Sequence, residues 1–318
     1  MGGIKIFGLG HYVPNDTLTN DDLSKMIDTN DEWIYTRTGM KTRHISKDEN
    51  TSELSYQAAK FAIAESGIAL SEIGYIVVAT SSADYIIPSV AAILRGRLDI
   101  PKERQVFAVD VNAACSGFAY GFEVANALAA ARPNEYGLLV GADVMSKVMD
   151  YTDRSTCILF ADGAGAAVIK YDPNAVYYSV MNCDTDIDAL FVPGLPLGDA
   201  DEPSYMKMKG QEVFKFAAER VPESINQVLD KAGLTMDDID WFVCHQANQR
   251  IIASVCKRLH GDMNRFFSNI DRYANTSAGS IPIALHEMQE SGLLKKGMKV
   301  ILSGFGSGLT WGTILMEW

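Results

Sequence analysis

The sequence predicts an α/β protein built from two copies of one design. Three observations carry this. Apolar strands alternate with helices along all 318 residues. Two stretches, Glu65 to Thr80 ("ESGIALSEIGYIVVAT") and Lys231 to Gln246 ("KAGLTMDDIDWFVCHQ"), align without a gap. The segments downstream of each then repeat in the same order. Such alternation implies mostly parallel sheets covered by helices on both faces.

Each copy reads the same way in order. A helix comes first, over "TSELSYQAAKFAIAESG" in one copy and "GQEVFKFAAERVPESINQVLDKAG" in the other. The first opens with a Thr/Ser cap and Glu53; Pro222 predicts a kink or restart in the second. Each helix ends at a glycine, Gly67 or Gly233, followed by a short acidic turn and a buried strand. "QVFAVDV" then "CSGFAYGFEVANALAAA" predicts strand, loop and helix, and so does "NRFFSNI" then "TSAGSIPIALHEMQESG". "YGLLVGADV" and "MKVILSGFGSG" are the next strands, followed by "GAGAAVIKY" and "LTWGTILMEW". The boundary falls in "YDPNA", giving halves 1–172 and 173–318.

Composition bounds the function classes. With 47% hydrophobic and 21% charged residues the chain is ordinary globular material. A net charge of −12 argues against nucleic acid or an anionic membrane as the main partner. No apolar run is long enough to span a bilayer and no leader is evident, so a cytoplasmic location is expected. The five cysteines are scattered without a CxxC pair, which argues against a disulfide framework or zinc site and fits a reducing compartment.

In open α/β sheets chemistry gathers at the carboxyl ends of strands. Three ends stand out. Cys115, in "VNAACSGFAYG", taken alone reads as a core thiol. It starts a helix, however, where unpaired N–H groups favour thiolate. His245 follows an apolar strand directly in "WFVCHQANQR". Asn275, in "YANTSAGS", lies at the equivalent end of the second half and would also serve as a helix cap. Cysteine with distant His and Asn is a nucleophile constellation. A fourth end, "SGFGSGLTWG", offers close backbone approach through its glycines, and one N–H there could join that of Cys115 in an oxyanion hole. "FADGAGAAVI" lacks GxGxxG and a Walker lysine and reads as a structural hairpin. His11, His44, His260 and His286 read as structural or surface residues.

"TNDEWIYTRTGMKTRHI", "ACSGFAYG", "DGAGAAV", "VFKFA", "CHQANQRII", "NTSAGSIP" and "FGSGLTWG" together resemble the blocks of the β-ketoacyl-acyl carrier protein synthase III family, in order and spacing. The resemblance implies a thiolase-like fold, two pseudo-two-fold-related βαβαβαββ halves in α-β-α-β-α layers. It implies a catalytic triad of Cys115, His245 and Asn275, which takes an acyl group from acyl-CoA and condenses it with decarboxylating malonyl-acyl carrier protein. Ser307 would supply the second oxyanion N–H, and Phe305 would pack against the triad. Coenzyme A would meet Trp33 and Arg154 at its adenine, Arg37 at its phosphates and Asn248 at its pantetheine. Lys215, Arg250 and Lys257, with Arg258, would attract the acidic carrier protein. No cofactor is implied beyond the thioester substrate. A homodimer is implied, in which residue 87 lines the partner's acyl pocket.

Three positions depart from the family pattern. Gly306-Ser307-Gly308 replaces a triple glycine, and Cys244 stands where proline is common. Ile87 replaces phenylalanine, which leaves primers longer than acetyl, or branched ones, open. A same-fold synthase of a polyketide or quinolone pathway is the alternative, and a cysteine hydrolase a more distant one.

Overall fold

The computed structural model describes residues 2–194 and 205–318. In the first half β1 (Gly3–Tyr12) leads through α1 (Asp31–Thr38) and α2 (Thr51–Ser66) to β2 (Ile73–Ala79). Then follow α3 (Val90–Arg97), β3 (Phe107–Val111), α4 (Gly117–Ala131), β4 (Tyr136–Val144) and β5 (Asp162–Asp172). The second half runs β6 (Tyr177–Cys183), α5 (Gly210–Ala232), β7 (Trp241–Cys244), α6 (Gln249–Arg258), α7 (Ser280–Glu290), β8 (Lys299–Gly306) and β9 (Thr310–Glu317).

The first sheet has the order β1-β5-β4-β2-β3 and the second β7-β8-β9-β6. The orders match when β6 is laid on β1, β9 on β5, β8 on β4 and β7 on β2. Directions match too: β4 runs parallel to β2 and antiparallel to β5, as β8 does to β7 and β9. The strand expected over "NRFFSNI" is reduced to a single bridge between Phe242 and Phe266. Charged Arg265 and the cap of a short 3₁₀ turn at Asp262 leave no run of alternating residues to extend it. The "FADGAGAAVI" stretch is no hairpin turn but the entry into β5, which lies inside the first sheet.

Alternation of side chains across the strands builds five layers. Tyr75 and Val77 face a central core shared with Val300, Leu302 and Ile314 of the other sheet; α4 and α7 fill it with Phe118, Phe122, Leu285 and Met288. Ile76 and Val78 face the other way, against Leu54 and Ala58 of α2 and Leu94 of α3. Phe242 and Ile301 face Phe216, Val221 and Val255 of α5 and α6. Burying Phe118 or Phe122 fully stabilises the central layer by roughly 1.5–3 kcal/mol each.

Local signals explain the element ends. Gly67 and Gly233 close α2 and α5 with φ of 68° and 66°, a conformation that favours glycine. The α2 cap is Asn50 rather than Thr51 or Ser52, and the Ser52 N–H is taken by Asp84 at 3.0 Å. Helix α5 runs through Pro222 without interruption. Pro222 is buried there, and the helix as a whole tolerates one lost backbone hydrogen bond.

Candidate active site

Cys115, His245 and Asn275 all line one cavity of about 180 Å³, with Asn248, Phe214 and Phe305 among its other walls. A second cavity of about 160 Å³ opens on the other side of Cys115, lined by Met145, Leu190, Val192, Met206 and Ser307. The thiol therefore stands where two spaces meet.

His245 is placed by the second half, and Asn275 by backbone of the first. The His245 N–H donates to Ser303 of β8 at 2.8 Å, continuing the β7–β8 ladder one residue beyond the strand. The Phe305 ring stands edge-on to His245 with centroids 5.1 Å apart. Asn275 is clamped by the first half: its N–H donates to the Leu159 carbonyl at 3.0 Å, and its own carbonyl accepts from Ala161 at 2.9 Å. Its Oδ1 accepts from the Ser277 N–H at 2.9 Å. Asn275 is not a helix cap, since Thr276 and Gly279 hold the cap positions of the turn and of α7. Its oxygen accepts within the turn, which leaves the side-chain NH₂ as the group free to donate.

Ser280, unmarked by the sequence reading, completes the histidine. Its Oγ lies 2.6 Å from His245 Nδ1 and 3.4 Å from the Gln246 N–H. A hydroxyl that accepts from that N–H can give its own proton to Nδ1, the pairing that places the ring proton on Nε2. Burial drives the His245 pKa down to about 3, so the ring is neutral.

Burial acts on the nucleophile as well. It pushes the Cys115 thiol up to about 12, against a smaller downward pull from Ser277. That direction is opposite to the one expected of a helix start: Cys115 lies in a 3₁₀ turn, Ala114–Ser116, before α4 begins, and its burial disfavours the charged form.

The turn that carries Cys115 occurs twice. Ala114 (φ 46°) begins a 3₁₀ turn that feeds α4 at Gly117, and Ser277 (φ 51°) begins one that feeds α7 at Ser280. The structural counterpart of Cys115 is therefore Ala278, not Asn275, which lies three residues earlier. Ala274 is also left-handed, at φ 50°. Three of the five non-glycine residues with positive φ among the described residues thus adjoin this site. Such strain persists where surrounding structure over-determines it.

Asp143, wholly buried, locks the second turn to the first sheet. It accepts from Thr80 Oγ1, from the N–H and Oγ of Ser81, from Ser82 Oγ, and from the Ala278 N–H at 3.2 Å. Gly306 brings β8 against the nucleophile: a Cβ there would sit 2.9 Å from Cys115 N. Ser307 follows at the turn, with its Oγ donating to the Leu190 carbonyl.

Of the other expected residues, Asn248 lines this cavity. Arg37 and Arg154 both stack on Trp33, their guanidinium carbons 4.4 and 4.7 Å from its ring. Arg154 also donates to the Asp28 carbonyl at 2.7 Å. Asn248 caps α6 through the Arg250 N–H at 2.8 Å. Lys215, Arg250, Lys257 and Arg258 are exposed on α5 and α6. Arg250 lies over Phe214 on the cavity wall. Ile87 is 83% exposed, beside exposed Tyr85 and Ile86.

Residues 109–187 match the family model for 3-oxoacyl-[acyl-carrier-protein] synthase III, and residues 229–318 match its C-terminal model. The chain is 43% identical, over its whole length and 99% of the relative's, to the Clostridium acetobutylicum protein named beta-ketoacyl-[acyl-carrier-protein] synthase III. The chain belongs to the 3-oxoacyl-[acyl-carrier-protein] synthase III family. A synthase III crystal structure from Aquifex aeolicus superposes with a TM-score of 0.92 at 38% identity, covering 99% of this chain and 100% of that one. The priming beta-ketosynthase of the R1128 polyketide pathway superposes at 0.91 with 28% identity, over 99% and 96%. The synthase III family thus accounts for the five-layered, thiolase-like fold. Among the described residues no helix is long and apolar enough to cross a membrane.

Proposed function

We infer that this chain is a β-ketoacyl-acyl carrier protein synthase III, which joins an acyl-CoA primer to malonyl-acyl carrier protein with loss of CO₂ and so starts fatty acid synthesis. The observation that carries the reading is the meeting of Cys115, His245 and Asn275 on one cavity in a chain of this family.

Cys115 Sγ attacks the acyl thioester and CoA leaves as its thiol, carrying the proton that Sγ loses. The N–H groups of Cys115 and Ser307 receive the oxyanion of that step. Malonyl-carrier protein then enters. Loss of CO₂ builds negative charge on its thioester oxygen, and His245 Nε2–H and the Asn275 NH₂ donate to it. The carbanion carbon attacks the acyl-enzyme and frees Cys115. A neutral histidine suits this work, since it donates without bringing a charge that must be desolvated. Phe305 keeps water from the carbanion.

Trp33, Arg37, Arg154 and Asn248 are the proposed coenzyme A contacts. An adenine between Trp33 and Arg154 needs about 7 Å between their planes, two stacking distances. Arg154 must therefore swing off Trp33 as CoA binds. Lys215, Arg250 and Lys257 offer a local positive surface to an acidic carrier on a protein of net charge −12. A homodimer would cover Tyr85, Ile86 and Ile87 and bring Ile87 to the partner's acyl space. We propose a cytoplasmic enzyme needing no cofactor. Identity of 43% to a synthase III against 28% to the polyketide priming enzyme favours the fatty acid role.

Mass spectrometry after incubation with acyl-CoA tests the reading. One acyl adduct is expected, on Cys115, and none in Cys115→Ala; an adduct elsewhere, or none in the parent, overturns it. A comparison of acetyl-, butyryl-, isobutyryl- and octanoyl-CoA then fixes the primer.

A further inference from the structure

Far from the thiol, β1 and α7 bring two histidines face to face. His11 Nδ1 and His286 Nδ1 are 2.6 Å apart, at positions 275 residues apart in sequence. Glu290, one helical turn beyond His286 on the same face of α7, places Oε2 3.8 Å from that Nδ1. One donor atom from each of the three lies within 4.8 Å of the others. We propose that His11, His286 and Glu290 bind one divalent zinc-class metal ion, with water as the fourth ligand.

The chemistry of the donors carries the inference. Two imidazole nitrogens aimed at each other can hold only one proton or one metal ion between them. A neutral imidazole keeps one ring nitrogen unprotonated, so the facing pair offers a lone pair to an ion. Two imidazoles and a carboxylate suit a tetrahedral zinc site with an open position. Zinc at about 2.0–2.1 Å from each nitrogen requires them roughly 3.3 Å apart, a small outward rotation of the rings. His286 and Glu290 are partly or fully exposed, so the ion has an entry path and Glu290 is free to close on it. Tyr273 packs edge-on to His11 and stacks on His44. The ion would pin the first strand of one half to the helix whose start, Ser280, holds His245. It would act as a clip between halves rather than as part of the reaction.

Zinc titration of the folded Cys115→Ser chain, which lacks the active-site thiol as a competing ligand, tests this. One ion per chain is expected, with an upward shift in Tm. His286→Gln is expected to weaken binding at least tenfold, and Glu290→Gln, an exposed change that leaves the fold intact, to weaken it measurably. Cobalt loading is expected to give visible tetrahedral bands without the near-ultraviolet band of a thiolate ligand. No stoichiometric binding, undiminished binding in both variants, or a thiolate band overturns the proposal.

Discussion

Ser280 Oγ, at the first residue of α7, lies 2.6 Å from His245 Nδ1, at the residue after β7. A hydroxyl that donates here leaves the ring proton on Nε2, the nitrogen that the proposed mechanism needs as a donor. Ser280→Ala should slow decarboxylation of malonyl-carrier protein about 10- to 100-fold, the scale of one misdirected oxyanion donor. Acylation by acyl-CoA should change far less, and Ser280→Thr should restore much of the loss. Separate assays of CO₂ release and acyl-enzyme formation check this; equal losses in both would mean a merely structural residue.

The buried thiol makes a pH prediction. With its pKa raised to about 12, the thiolate fraction of free enzyme climbs tenfold with each pH unit throughout the neutral range. Iodoacetamide should therefore modify Cys115 about ten times faster per unit from roughly pH 6 to 9, without a plateau. A plateau below about pH 8 would show that the helix start lowers the pKa after all. His245, pushed down to about 3, should add no step in that range.

Trp33 carries two guanidinium groups and, by the proposal, an adenine. Trp33→Ala should raise KM for acyl-CoA about tenfold, a stacking contribution of roughly 1–2 kcal/mol. KM for a truncated acyl-pantetheine, which lacks the nucleotide, should hold steady. A similar rise with both substrates would place Trp33 elsewhere in the binding path.

Arg250 lies over Phe214, which lines the cavity. Arg250→Glu should raise KM for malonyl-carrier protein, more at low salt than at high salt, and leave acyl-enzyme formation nearly unchanged. A KM indifferent to both the substitution and salt would remove Arg250 from the docking surface.

What the sequence made legible follows from range. Apolar runs and glycine stops are local, so β2, β7, Gly67 and Gly233 could be read directly, and with them the strand ends that hold Cys115 and His245. Asp143, Ser280 and the His11–His286 pair could not. Each looks ordinary in its own segment and gains meaning only from a partner tens or hundreds of residues away. The missing strand at Phe266 failed for the converse reason: two adjacent phenylalanines look strand-like, but nothing beyond them sustains a ladder. The burial that raises the Cys115 pKa was hidden because depth is a property of the assembled layers.

The doubled turn has an ancestral consequence. One copy keeps its central amide and a thiol, at Cys115, for chemistry. In the other, the same position is Ala278, and its amide is already committed to Asp143. Where His245 follows β7, Thr80 follows β2, and its hydroxyl too is spent on Asp143. The chain thus preserves the mould of two sites and the reagents of one. The turn without a thiol serves as a buttress, tied through Asp143 to the first sheet, and a cysteine grafted at position 278 would start from an amide already in use.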